Sequence, residues 1–232
     1  MADESGASLA SINILASLSK DGLDALAQRC SWRNYEVNEQ IIDRQSDSRD
    51  VYFVVSGKTR VVNYSLSGRE VTFDDLEAGS YFGEIAALDG EPRSANVVAL
   101  EDTTVASLSP EGFRELVNDH PQIGWDVMHY MAAIIRTSTD RIMDLSTLGA
   151  NNRVHAELLR LAKDGMNDDN TAAISPIPIH GDIASRVSTT RETVARVLGD
   201  LSRSKIVRRE SDALVIVDLE RLQSIIEQVR GE

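Results

Sequence analysis

The sequence predicts an α+β chain in which an N-terminal antiparallel β-roll, similar to a jelly roll, precedes a long helix and a C-terminal winged helical domain. Three patterns support this prediction. Short apolar runs separated by glycine turns fill residues 51–108, an apolar stripe at helical spacing follows from 122 to 148, and a helix, turn, helix and hairpin pattern begins near 179. The chain of 232 residues is long enough for two separate cores.

The roll is predicted from strands at residues 51–55, 59–64, 70–76, 96–100 and 104–108. Turns containing Gly57, Gly68 and Gly79 separate the early strands. Short strands at nearly regular spacing are typical of antiparallel rolls and barrels. A helix capped by Ser109, with Pro110 at its first position, then ends the roll.

The long helix is predicted from Gln122 to about Leu148. Its apolar stripe consists of Ile123, Val127, Met131, Ile134, Ile142, Leu145 and Leu148. Such a stripe is either a core face or the seam of a two-helix dimer, and the seam is favoured because about 27 residues extend beyond a small roll. We therefore expect a roll domain at 1–121, a dimerisation helix at 122–148, a hinge at 149–152 and a winged helix-turn-helix domain at 153–232.

Charge and composition narrow the classes of function. The net charge is −13, but residues 1–149 hold 12 Lys and Arg against 24 Asp and Glu, whereas residues 150–232 hold 12 against 13. Residues 180–210 contain seven basic and four acidic residues. This local reversal of the sign of the net charge favours DNA as a partner. The single cysteine, Cys30, excludes an intramolecular disulfide, and the four histidines lack metal-ligand spacing. We find no pair of enzymatic nucleophile and base, no apolar membrane span and no secretory signal. We therefore expect a cytoplasmic binding protein that holds no metal and contacts no membrane.

The segment from Phe82 to Ala95 carries the first candidate site. A phosphodiester requires a planar cation with a fork of donors, and a ribose hydroxyl requires a carboxylate acceptor. Arg93 with Ser94 and Glu84 with Gly83 supply these groups at the two ends of one loop. By spacing alone, a surface loop with an Arg–Glu ion pair is an equal alternative.

The second candidate site is a DNA reader. Residues 179–187 predict a short helix, Ser188 a turn, and Thr189 with Glu192 a capping box that starts a second helix. Residues on its outer side are suited to base edges, and the strands near 206–217 predict a wing. The alternative is a solvated charged face. The candidate DNA contacts are Thr189, Thr190, Arg191, Glu192, Thr193, Arg196 and Arg208.

Phe-Gly-Glu-Ile-Ala followed by Arg-Ser-Ala, together with Thr-Arg-Glu-Thr-Val-Ala-Arg, resembles bacterial regulators of the cAMP receptor protein and fumarate–nitrate regulator superfamily. The resemblance covers about residues 15–220. It implies that Gly83 and Glu84 hold the ribose and that Arg93 and Ser94 hold the cyclic phosphate. It also implies a base contact by hydroxyls of the long helix, although these could simply bond back to the helix. The ligand residues it implies are Gly83, Glu84, Ile85, Ala86, Arg93, Ser94, Ala95, Ser138 and Thr139.

The implied function is that of an allosteric homodimeric transcription regulator. It would bind cAMP, with cGMP as the alternative, and a pseudo-palindromic double-stranded DNA operator. RNA polymerase is an implied further partner, although the acidic loop at 167–175 departs from the family's polymerase-contacting loop. The rival hypothesis is a nucleotide-binding regulatory subunit that acts on another protein, and the helix-turn-helix residues favour DNA.

Overall fold

The computed structural model describes residues 9–167 and 169–230, apart from the side chains of Asp164 and Arg230. The chain divides into two compact units between Ala133 and Ile134. We call them the roll unit and the helical unit and describe each by itself.

The roll unit contains eight strands among its described residues. They are β1 (Ser31–Tyr35), β2 (Gln40–Ile42), β3 (Val51–Ser56), β4 (Lys58–Tyr64), β5 (Glu70–Glu77), β6 (Tyr81–Phe82), β7 (Asn96–Ala99) and β8 (Thr103–Leu108). All pairings are antiparallel, in two sheets of order β1-β8-β3-β6 and β2-β7-β4-β5. The α+β class and the antiparallel roll are therefore confirmed.

Helices flank the two sheets. They are α1 (Lys20–Arg29), α2 (Glu84–Asp89), α3 (Pro110–Asp119) and the long helix α4 (Pro121–Thr147), which continues into the helical unit. Ser109 caps α3 by accepting a hydrogen bond from the Gly112 amide, as the sequence predicts. Ile123 and Val127 of α4 are buried in the core that also holds Phe53 and Phe113. The first part of α4 is thus packed by its own roll, because one face of it is apolar.

After α4, the described part of the helical unit has seven α-helices and strands, which share one core. They are α5 (Ala150–Ala162), β9 (Ala172–Ile174), α6 (His180–Arg186), α7 (Arg191–Arg203), the wing strands β10 (Val207–Arg209) and β11 (Leu214–Ile216), and α8 (Leu219–Arg230). Ile183 of α6 and Val194 and Val197 of α7 are buried in this core. The winged helix-turn-helix is therefore present.

Three details differ from the sequence-based expectations. The acidic loop expected at 167–175 contains β9, which pairs with β11 and makes the wing a three-stranded sheet. Helix α7 is capped by Thr190, whose hydroxyl accepts from the Thr193 amide, so the predicted box between Thr189 and Glu192 is wrong by one residue. The break expected at 149–152 is shorter, because α4 ends at Thr147 and α5 already begins at Ala150.

None of the helices in the described ranges combines the length and the apolar character that crossing a bilayer requires. Within the same ranges, His, Cys, Asp and Glu side chains form no group of three that could hold a metal ion.

Candidate functional site

The turn between β6 and α2 is built around Gly83. Its φ of +86° lies in the left-handed region, and a Cβ there would lie 2.7 Å from the Asp50 carbonyl oxygen and 2.8 Å from Arg93 Nη1. Both the backbone conformation and the close approach therefore require glycine.

Arg93 is held in this turn by its own chain and is only 4% exposed. Nη1 donates to the Gly83 carbonyl (3.0 Å) and Nη2 to the Asp50 carbonyl (2.9 Å). Nε and Nη2 also donate to the hydroxyl of Ser48, over 3.3 and 3.2 Å. Burial lowers the pKa of the guanidinium from its ordinary value. A buried cation whose hydrogen-bond acceptors are all neutral is suited to an anionic ligand.

Glu84, the first residue of α2, is also 4% exposed. Burial raises the pKa of its carboxyl group, while its own backbone amide and Arg93 oppose that shift. Among the described residues no ion pair joins Glu84 to Arg93, and neither side chain lies on the surface. The alternative of a surface loop with an Arg–Glu ion pair is therefore wrong.

The other residues implied for this segment lie beside the pair of buried charges. Ala86 is buried, Ile85 and Ala95 are half-buried, and Ser94 is exposed. The Ser94 carbonyl accepts a hydrogen bond from Asn63 Nδ2 (3.2 Å), which ties the segment to β4. Sequence reasoning missed Ser48 and Asp50. The polar run 46–50 directly before the buried strand β3 was the signal that could have found them.

Two hydroxyl residues of α4 were predicted as base contacts, and both are exposed in the helical unit. The Thr139 hydroxyl donates to the Ile135 carbonyl (2.9 Å), which is the bond back to the helix that we considered as the alternative for these residues. On the same helix several large apolar side chains are exposed. They are Trp125 and Met128 in the roll unit and Ile135, Ile142, Met143 and Leu145 in the helical unit.

The helix-turn-helix places six of the seven predicted DNA residues at the start of α7 or directly before it, and Arg208 lies on the wing. Arg191, Glu192 and Arg196 are exposed there. The turn before α7 is closed by Ser188, with φ +53°, and by a hydrogen bond from the Thr189 amide to the Ala184 carbonyl (3.0 Å). The α7 start therefore presents its charged side chains to solvent.

Each candidate DNA-contacting arginine has a neighbour in the helical unit. The Arg191 guanidinium lies over Gly181 of α6, where a Cβ would be 2.9 Å from Arg191 Nε. Arg196 Nη2 donates to Asn151 Oδ1 (3.3 Å). On the wing, Arg208 is exposed and paired with Glu210 at 2.7 Å.

A buried carboxylate, which sequence reasoning missed, connects three helices of the helical unit. Glu157 of α5 is 1% exposed and lies 2.6 Å from Arg160, 3.9 Å from Arg186 of α6 and 4.0 Å from Arg141 of α4. Arg160 is also paired with the buried Asp144 of α4. An acidic residue on the apolar face of a predicted helix was the available signal.

Arg153 makes a second connection between the same helices. Its guanidinium donates to the carbonyls of Leu148 (2.9 Å), Val187 (2.9 Å) and Ser188 (3.2 Å). Leu148 follows the last residue of α4, and Val187 caps the end of α6. A cation thus lies at two helix C-termini, where carbonyl groups without helical partners accumulate negative charge.

Comparison with known proteins agrees with this architecture. Residues 32–120 match the family model described as "Cyclic nucleotide-binding domain", and residues 152–225 match the "Crp-like helix-turn-helix domain". The Cyclic AMP receptor protein of Thermus thermophilus is 32% identical over 180 residues, which cover 76% of this chain and 79% of that protein. The cAMP-activated global transcriptional regulator Vfr of Pseudomonas aeruginosa is 29% identical over 200 residues, 84% of this chain and 92% of Vfr.

Solved structures show the same fold. A CooA mutant from Carboxydothermus hydrogenoformans superposes with a TM-score of 0.80 at 24% identity, covering 92% of this chain and 94% of that one. The Catabolite Activator Protein of Thermus thermophilus gives a TM-score of 0.53 at 28% identity, covering 94% and 99%. Vfr is by its name a global transcriptional regulator. With a cyclic-nucleotide-binding domain and a DNA-binding helix-turn-helix domain in one chain, the protein is a transcriptional regulator that belongs to the cAMP receptor protein and fumarate–nitrate regulator superfamily.

Proposed function

We propose that the protein is a homodimeric regulator that binds cAMP in the roll unit and a pseudo-palindromic operator through α7. The observation that carries the ligand assignment is the buried guanidinium of Arg93 beside Gly83 and Glu84. A cyclic phosphate is a compact monoanion that a planar donor fork can bind in two places at once. The ionised carboxylate of Glu84 is an acceptor for the ribose hydroxyl.

The remaining ligand contacts complete this arrangement. Ser94 supplies a second donor to the phosphate, and Ile85, Ala86 and Ala95 line the ligand. We assign the base to the hydroxyls of Ser138 and Thr139. Thr139 donates its proton within the helix, so its oxygen is left to accept from an amino group such as that of adenine. Guanine also carries an amino group, so the choice of adenine rests on the names of the relatives, which refer to cAMP.

We assign dimerisation to α4, within the predicted dimerisation helix 122–148. Six large apolar side chains of this helix are exposed in the single chain, Ile142 by 63%. Burying them against a second copy would remove apolar area from water, which is the main driving force for association. Sedimentation of the full chain tests this assignment, and Ile142→Glu is expected to raise the dissociation constant of the dimer.

The DNA interface is assigned to the helix-turn-helix of the domain predicted at 153–232. Arg191, Glu192 and Arg196 read base edges, since Arg pairs with guanine and Glu accepts from cytosine. Two copies of α7 about 34 Å apart would meet one face of a pseudo-palindrome. Contacts to the sugar-phosphate backbone of the DNA are assigned to Thr189, Thr190, Thr193 and Arg208.

Ligand binding is proposed to change DNA affinity through α4 and the predicted hinge 149–152, whose residues 150–152 form the first turn of α5. RNA polymerase is the further partner that this role implies. The size and sign of this effect follow from the difference in ligand affinity between the conformation that binds DNA strongly and the one that binds it weakly.

Two measurements test the proposal. Calorimetry of the full chain with cAMP and with cGMP is expected to give tighter binding of cAMP, and Arg93→Ala is expected to abolish binding of both while the circular dichroism spectrum is retained. Absence of binding to either nucleotide would overturn the ligand assignment. Selection from a random double-stranded library, with and without cAMP, is expected to return a site with two-fold symmetry. An asymmetric site, or no enrichment, would overturn the dimeric reader.

A further inference from the structure

The Nε and Nη2 edge of the Arg93 guanidinium, which we call its side-on edge, is occupied by a residue from outside the segment 82–95. We propose that the hydroxyl of Ser48 is a built-in competitor of the cyclic phosphate: it binds the Nε and Nη2 edge of Arg93, and the ligand must displace it. This inference rests on the proposed ligand site and adds a residue that sets its affinity.

A guanidinium offers two edges with paired N–H groups. In Arg93 the end-on edge is taken by two main-chain carbonyls, with Gly83 accepting from Nη1 (3.0 Å) and Asp50 from Nη2 (2.9 Å). The side-on edge converges on the single oxygen of Ser48, over 3.3 Å from Nε and 3.2 Å from Nη2. Four hydrogen bonds thus join this group to Gly83, Asp50 and Ser48, and the side chain of Tyr52 is a further hydrogen-bond partner. A phosphate that binds in two places needs one of these edges.

The two edges differ in how easily their present hydrogen-bond acceptors can be displaced. The Gly83 carbonyl belongs to the turn that starts α2, and a main-chain carbonyl moves only when the backbone of its turn moves. Ser48 is exposed and lies in the segment between β2 and β3. Its bonds to Arg93 are the longest of the four, and one neutral oxygen shared by two donors is a weaker acceptor than an anionic oxygen. The side-on edge is therefore the one that a ligand arriving from solvent takes.

Ser48 also has a second partner to which it can remain bound. The hydroxyl oxygens of Ser46 and Ser48 are 3.2 Å apart. Since Ser48 accepts from Arg93, its only proton is available for Ser46. When the phosphate replaces Ser48 on Arg93, the bond to Ser46 can persist, so displacement costs the contact with Arg93 alone.

The test compares Ser48→Ala with Ser46→Ala in the full chain. Calorimetry with cAMP is expected to show about threefold tighter binding for Ser48→Ala, because a competing acceptor has been removed. Ser46→Ala touches no donor of Arg93 and is expected to stay within twofold of the unaltered chain. An affinity of Ser48→Ala that is equal to or weaker than that of the unaltered chain overturns the proposal.

A second measurement requires no nucleotide. The Nε–H resonance of Arg93, assigned by its loss in Arg93→Lys, is expected to exchange with solvent faster in Ser48→Ala than in the unaltered chain. If the unaltered chain binds neither cAMP nor cGMP, the proposed function fails, and this exchange rate alone decides the role of Ser48. Equal rates in the two proteins would show that Ser48 does not occupy the edge and would overturn the inference.

Discussion

Arg153 donates a hydrogen bond to the carbonyl oxygen of Leu148 over 2.9 Å, at the point where the long helix has just ended. The same guanidinium reaches the carbonyls of Val187 and Ser188 in the helix-turn-helix turn. The short break between α4 and α5 is thus tied to the turn that precedes the recognition helix α7. A side chain, and not only the backbone, fixes this geometry.

Replacing Arg153 should therefore loosen that turn. Arg153→Lys keeps the charge but offers a single nitrogen, which cannot reach three carbonyls in the geometry of a planar fork. We expect faster amide hydrogen exchange at residues 187–190. Arg203→Lys, on the exposed end of α7, is the matched control and should leave exchange there unchanged. Equal exchange in the two variants would contradict the role of Arg153.

Glu157 provides a prediction about stability. Its removal would take from Arg160 and Arg186 the buried carboxylate that both of them contact. Breaking a buried ion pair on one side costs about 3–5 kcal/mol, so Glu157→Ala should lower the free energy of unfolding by about that amount. Urea denaturation measures the loss. Glu220→Ala, at an exposed position of α8, should change stability by less than about 0.5 kcal/mol.

The local role of Gly83 in ligand binding can be separated from the backbone strain that any residue other than glycine has at a positive φ. Gly83→Ala would place a Cβ against Arg93 and the Asp50 carbonyl, whereas at Gly68, with φ +76°, a Cβ meets nothing within 4 Å. Both variants carry the backbone strain, about 1–3 kcal/mol. Only Gly83→Ala should also weaken cAMP binding, by at least about tenfold, or about 1.4 kcal/mol. A similar loss of affinity in Gly68→Ala would refute a local role for Gly83.

The raised pKa of Glu84 predicts that cAMP affinity depends on pH. Burial favours the protonated carboxyl in the folded protein, so the group takes up a proton at a higher pH than an ordinary glutamate. The proposed bond from the ribose hydroxyl requires the ionised form. Affinity should therefore be highest at neutral pH and fall as the pH is lowered through the raised pKa.

The same shift has a consequence for stability with the opposite pH dependence. A carboxyl whose pKa is higher in the folded than in the unfolded chain contributes stability at low pH, and this contribution is lost as the pH rises through the folded pKa. Calorimetry and unfolding of the unaltered chain and Glu84→Gln between about pH 5 and pH 8 measure both effects. Glu84→Gln should bind cAMP more weakly at neutral pH, with little pH dependence. If the cAMP affinity of Glu84→Gln depended on pH as steeply as that of the unaltered chain, the dependence would arise from another titratable group.

Gly181 allows a prediction about DNA selectivity. Gly181→Ala would push the Arg191 guanidinium from its present position, since a Cβ would lie 2.9 Å from Nε. Gly199→Ala, on α7, would bring a Cβ only to 3.5 Å from Arg203 and is the control. In selection from a random library, Gly181→Ala should relax the preference at one base pair per half-site, by about 1–3 kcal/mol. Unaltered selectivity would mean that the resting place of Arg191 is irrelevant to reading.

The predicted and observed structures agree where local pattern dominates. The strands β3, β4, β5, β7 and β8 follow from apolar alternation and glycine turns, and the α7 core positions follow from helical spacing. Strand β1 was missed because most of its side chains are exposed and polar, so no alternation marks it. Strand β9 has three residues before a proline-containing stretch, and its pairing with β11 is a long-range contact that no local pattern encodes.

The candidate site follows the same division. Gly83, Glu84 and Arg93 lie within one short stretch of sequence, so their chemistry could be predicted from spacing and resemblance. Ser48 is 45 residues from Arg93, and only the fold brings the two together. The cap of α7 was assigned to Thr189 instead of Thr190, because two adjacent threonines are equivalent in sequence until the turn decides which amide each one faces.

The hydrogen-bond acceptors around Arg93, which we call its cradle, have an evolutionary consequence. Two of its acceptors are main-chain carbonyls, and a carbonyl is present whatever side chain occupies the position. Substitution at Asp50 would therefore leave the cradle intact, whereas insertion or deletion of one residue in the segment before β3 would remove an acceptor. Among descendants of this gene, selection should act on the length of this segment more strongly than on the identity of residue 50.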